Sequence, residues 1–212
     1  AWAPGASAAG AAGTVVETAD FLFDINVVDP DPAVWSSSGN IVGMGSEGQG
    51  LQVTDLGATN SLLYFHAAPE IGGQTNATTL SAVVRTPALQ DSSAIAWSND
   101  ATGFRLILDD GQRRLVLGLG RDPADPGTSK QRVLVIIGAT GVPLMPFPWD
   151  NGFHNAYQID RLANGDFMIT ATNNDPANTV SPVSQTIPAA QLPASTGAAM
   201  VAWGMGAAGG GI

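Results

Sequence analysis

The sequence predicts an all-β domain, an antiparallel sandwich or barrel, and three observations carry that reading. Short alternating or β-branched runs recur along the 212 residues, turn residues punctuate them, and no stretch sustains a helical period. Gly50 to Val53 and Ser61 to His66 read as the first, weaker strands. Thr79 to Thr86 alternates Leu80, Ala82 and Val84 against Ser81, Val83 and Arg85, and Pro87 closes it. Ser93 to Trp97 follows, ended by Asn99-Asp100. Phe104 to Leu108 leads through Asp109-Asp110-Gly111 into Arg114 to Leu119, and Asp-Gly between two such runs is a strong hairpin signal. Arg132 to Ile137 is a further β-branched run, with Val133, Val135, Ile136 and Ile137. Ala156 to Arg161 and Phe167 to Thr172 flank Asn164-Gly165-Asp166 and repeat the hairpin pattern, and Met200 to Trp203 is a late strand. The one short helical turn expected is Pro188 to Leu192, stopped by Pro193.

Composition narrows the function classes. There are no cysteines, so disulfides and thiolate chemistry are excluded. Charged residues make up 12%, and 18 acids against 8 bases give a net charge of −10. A phosphate-tracking surface needs clustered cations, whereas the bases here are scattered, so neither nucleic acid nor an anionic membrane is an expected partner. No apolar run reaches the length of a membrane span, so no membrane insertion is expected. The 26 glycines and 14 prolines are spread along the chain, which fits many turns better than disorder. Residues 1–13 are Ala/Gly-rich and read as an N-terminal arm, 14–203 as a single sandwich domain, and 204–212 as a Gly-rich tail that reads as incomplete.

Three stretches resemble the concanavalin A-like lectin/glucanase superfamily, which includes laminin-G-type modules. They are TTLSAVVRT (78–86), GFRLILDDGQRRLVLGLG (103–120) and FHNAYQIDRLANGDFMITATN (153–173). The resemblance implies an antiparallel jelly-roll β-sandwich and does not by itself imply an activity. The chain departs from the pattern where the return strand runs into Thr172-Asn173-Asn174-Asp175-Pro176.

Glycoside hydrolysis needs two carboxyl groups spaced across the scissile bond, and two on alternate positions of one strand would share a face. The glutamates Glu17, Glu47 and Glu70 are isolated, and no strand carries such a pair. The chain therefore leans away from an enzyme. His66 and His154 lack the neighbours of a zinc set. GMGSEGQG (43–50) contains Gly-x-Gly-x-x-Gly without a following helix and reads as a loop. Asp122 with Asp125, and Asp109 with Asp110, are oxygen ligands of the kind calcium takes, although Asp is also a default turn residue. No cofactor is required by anything in the sequence, and calcium is the cation these positions would suit.

Sugar binding needs aromatics that stack and planar groups that hydrogen-bond. The candidates are Trp97, Trp35, Trp149, Tyr64 and His66 with Arg85 and Arg105, the two arginines falling on the non-core phase of apolar strands. The leading expectation is a non-catalytic extracellular binding or adhesion module for glycans. The alternative is a structural surface component (capsid decoration, fibre or surface-layer subunit) whose arms add strands to neighbouring copies. A glycan-cleaving hydrolase or lyase ranks third. The expected partners are thus a glycan or further copies of the chain, at a cell or particle surface.

Overall fold

The computed structural model describes residues 5–9, 15–20, 32–33, 35–40, 44–47, 50–53, 61–72, 77–84, 104–121, 130–137, 140–150, 155–173 and 181–205. In chain order the strands are β1 (Gly5–Ala9), β2 (Val15–Asp20), β3 (Ser36–Asn40), β4 (Met44–Glu47), β5 (Gly50–Val53), β6 (Ser61–Ala67), β7 (Thr78–Val84) and β8 (Phe104–Asp109). They continue as β9 (Arg114–Arg121), β10 (Lys130–Ile137), β11 (Thr140–Asp150), β12 (Asn155–Arg161), β13 (Phe167–Thr172), β14 (Val183–Ile187) and β15 (Met200–Met205). Side chains of β1, β2, β4, β5, β10 and β11 lie outside the description. Two 3-10 turns, Pro69–Ile71 and Ala189–Gln191, are the helical elements among the described residues.

The strands form two large antiparallel sheets and one two-stranded ribbon. The six-stranded sheet runs β14-β13-β12-β7-β1-β2, and the seven-stranded sheet runs β11-β10-β9-β8-β15-β6-β3. One hydrophobic cluster draws from both sheets, which makes the body sandwich-like. Leu80, Tyr157, Ile159, Phe167 and Ile169 come from the six-stranded sheet, and Tyr64, Leu106, Leu108, Leu115, Leu117, Val201 and Trp203 from the seven-stranded one. The alternation expected from sequence is what places them there. In β13, and in β7 as far as Ala82, every second residue is buried because successive side chains point to opposite faces. Each buried Leu stabilises by roughly 1.5–3 kcal/mol relative to an exposed one, and truncating one to Ala costs about 2–5 kcal/mol. Burial also pushes the Tyr157 phenol above its ordinary range, partly offset by a hydrogen bond with Asn155.

Several elements differ from the sequence reading, each for a physical reason. β11 contains Pro143, Pro146 and Pro148, which conceal it as a strand, yet it lies at the edge of its sheet. There an absent N–H interrupts no second ladder. β3 (SSSGN) and β14 (VSQTI) are also edge strands with little apolar patterning. The expected loop over 43–50 contains β4 and the start of β5, which pair as a ribbon. Gly5–Ala9, expected within an arm, pairs with β2 and β7 of its own sheet. The strand expected at Ser93 to Trp97, with its Asn99-Asp100 turn, and residues 206–212 of the tail lie outside the described residues.

Candidate functional site

The β8–β9 hairpin closes through residues 110–113, with Asp109 opposite Arg114. Two side chains organise it. Asp110 Oδ1 accepts from the backbone N–H of Gln112 and Arg113 at 2.8 and 2.7 Å, the self-capping that suits Asp to turns. Asp109 Oδ1 accepts from Gly111 N–H at 2.9 Å, and Gly111 has φ of +81°, a conformation open to glycine without strain. The remaining oxygens reach across the fold. Asp109 Oδ2 accepts from Arg114 Nε at 2.7 Å and Ser195 Oγ at 2.8 Å. Asp110 Oδ2 accepts from Arg161 Nε at 2.8 Å, an ion pair with side chains only 3% and 7% exposed. Arg161 ends β12, so this pair ties the hairpin of one sheet to a strand of the other. All four carboxylate oxygens thus accept from N–H or O–H donors. Among the described residues no group of three His, Cys, Asp or Glu stands close enough to hold a metal ion.

A second polar constellation lies on the outer face of the six-stranded sheet. The inward positions of β7, β12 and β13 bury the core, so Thr79, Ser81, Gln158, Asp160, Met168, Thr170 and Thr172 fall on the opposite phase. The register sets them in rows. Ser81, Gln158, Thr170 and Ser184 stand abreast on β7, β12, β13 and β14, and Thr79, Asp160, Met168 and Thr186 form the next row. The rows continue in register to Ser7 and Thr18 beside Thr79, and to Gly5 and Asp20 beside Ser81. Asp160 sits at the centre. Its Oδ1 accepts from Thr79 Oγ1 at 2.6 Å, and Gln158 Nε2 lies 2.9 and 2.8 Å from its two oxygens. Thr170 and Ser184 hydroxyls hydrogen-bond across the strands at 2.9 Å. Sequence reasoning passed over this face because single Thr, Ser and Gln residues on alternating strands look like ordinary solvated positions. The register that aligns them is a long-range property.

The expected ligand-binding residues do not converge on one place. Tyr64 is buried at 6% exposure and stacks on Trp203 with ring centroids 4.7 Å apart. Trp35 meets both Trp203 and His66 edge-on at 6.0 Å. Tyr64 and Trp35 are therefore packed in the core, and His66, half-buried, lies at its rim. Arg105 lies on the outer phase of the seven-stranded sheet, in register with Gly204 on one side and Gly118 on the other. Trp97, Arg85, Asp122, Asp125 and His154 lie outside the described residues. Trp149 is placed only as a backbone position on β11. No helix among the described residues is long and apolar enough to cross a membrane.

No protein-family model matches the chain, and no match is found among curated proteins or solved structures.

Proposed function

We propose that the chain is a non-catalytic binding module, built as a jelly-roll of the concanavalin A-like kind and displayed outside the cell, that recognises glycans on the outer face of its six-stranded sheet. The observation that carries this reading is the Thr79–Asp160–Gln158 cluster set among aligned hydroxyls. A carboxylate, an amide and hydroxyls held by one another in fixed geometry are preorganised partners for sugar hydroxyls, because little side-chain entropy remains to be lost on binding. The adjacent acids Asp109 and Asp110 favour a structural role over acid–base work, since their oxygens are already engaged by arginines, Ser195 and backbone N–H groups.

A glycan array probed with the wild-type chain, Gln158→Ala and Trp97→Ala tests the reading. Expected are wild-type signals on a subset of neutral glycans, lost or strongly reduced in Gln158→Ala. Uniformly blank wild-type arrays would remove the proposal. Signals abolished by Trp97→Ala but untouched by Gln158→Ala would move the site off this face.

A further inference from the structure

We infer that this face selects neutral, repeating glycans over uronate- or sulfate-bearing ones, with Asp160 as the residue that sets the selectivity; the inference rests on the glycan reading above. Asp160 is the one ionisable side chain at the described outer-face positions of β7, β12, β13 and β14. No Lys or Arg stands at those described positions to offset it, and the chain as a whole carries a net charge of −10. The register adds a second acid position, Asp20, in the row of Ser81 and Gln158.

Hydrogen-bond polarity points the same way. Thr79 turns its hydroxyl hydrogen to Asp160, and Gln158 directs its amide nitrogen there. Within this cluster the capacity left to a ligand is weighted towards oxygen acceptors, which neutral sugar hydroxyls satisfy by donating and which an anionic substituent cannot. Length follows from the grid. Neighbouring strands lie about 4.8 Å apart and alternate residues of one strand about 6.6–6.8 Å apart, so four strands offer a run of similar polar positions that a single sugar unit cannot span. Asp160 itself is 8% exposed, so it acts through its field and as a positioning residue for Thr79 and Gln158.

The test is titration calorimetry of the full chain with neutral gluco-oligosaccharides of increasing length and with their sulfated and uronate counterparts. Neutral oligosaccharides are expected to bind more tightly with each added unit, and each anionic substituent to weaken binding by about tenfold at low salt, a gap that narrows as salt screens the field. Asp160→Asn should close most of that gap, and Ser81→Asp, which leaves the Asp160 hydrogen bonds intact, should widen it. Equal or tighter binding of the acidic series would overturn the inference while leaving the glycan reading in place. So would an Asp160→Asn variant that weakens both series alike with the ratio unchanged, since that is the signature of a merely structural role. Binding of neither series by wild type would overturn the reading and the inference together.

Discussion

Asp110 and Arg161 form a desolvated ion pair between elements far apart in sequence. Removing one partner of such a pair strands the other charge away from water, at a cost of about 3–5 kcal/mol. Arg161→Met is expected to lower the unfolding free energy by that amount in a urea titration. Asp110→Asn added to Arg161→Met should recover part of it, because Asn can keep capping Gln112 and Arg113 while the stranded charge is gone. A loss below about 1 kcal/mol would mean that the pair behaves as an exposed one. At this scale the sequence was half legible. Asp109-Asp110-Gly111 announced a turn by composition, but Arg161 and Ser195 are supplied from across the fold, and no local pattern pairs them with Asp109 and Asp110. The same limit applied to the aromatics, where a Trp or Tyr on a strand can stack on a sugar or on another ring. For Tyr64 the neighbour proved to be Trp203.

The β12–β13 hairpin shows how an element enforces a residue's conformation. Its connection spans residues 162–166, closed by Leu162 N–H to Asp166 C=O at 2.7 Å and Gly165 N–H to Leu162 C=O at 2.9 Å. Asn164 Nδ2 donates to Asp166 Oδ2 and the Asp166 N–H donates to Asn164 Oδ1, while Asp166 Oδ1 also accepts from Ala189 N–H at 3.0 Å. Gly165 has φ of +88° and open space where a Cβ would stand. Gly165→Ala therefore carries conformational strain alone and should cost about 1–2 kcal/mol by thermal or urea unfolding. Gly165→Asn should cost less, since Asn visits this region more readily. Equal costs for the two would point to a contact rather than backbone strain. The Asn-Gly signal located the hairpin but not the length of its connection, which the Asn164 and Asp166 carboxamide and carboxylate set. Strands with apolar alternation were legible, whereas β3, β11 and β14 were not. As edge strands they need neither a buried face on the second phase nor a full complement of N–H donors.

Over the whole molecule, the pairing order decides how the chain can fold. β1 pairs with β7, and β15 is inserted between β6 and β8, so both large sheets depend on contacts between distant parts of the sequence. Antiparallel topologies of this kind fold on the order of milliseconds to seconds. Stopped-flow refolding from urea is expected to show its main Trp phase in that range, Trp203 becoming buried as β15 enters. Complete refolding within microseconds would contradict the strand order. The all-β character was readable from turn spacing, because it is a sum of local signals. Strand order was not, because hydrophobic patterning says which side of a strand faces inward but not which neighbour lies beside it.

The placement of β15 also bears on biosynthesis. A ribosome delivers β6 and β8 early, and at roughly 5–20 residues per second several seconds pass before Met200 and the residues after it emerge. Throughout that interval the two flanking ribbons hold open backbone edges towards a gap that nothing yet fills. A product truncated before Met200 would leave both of those edges unsealed, the kind of open backbone that invites pairing with another chain.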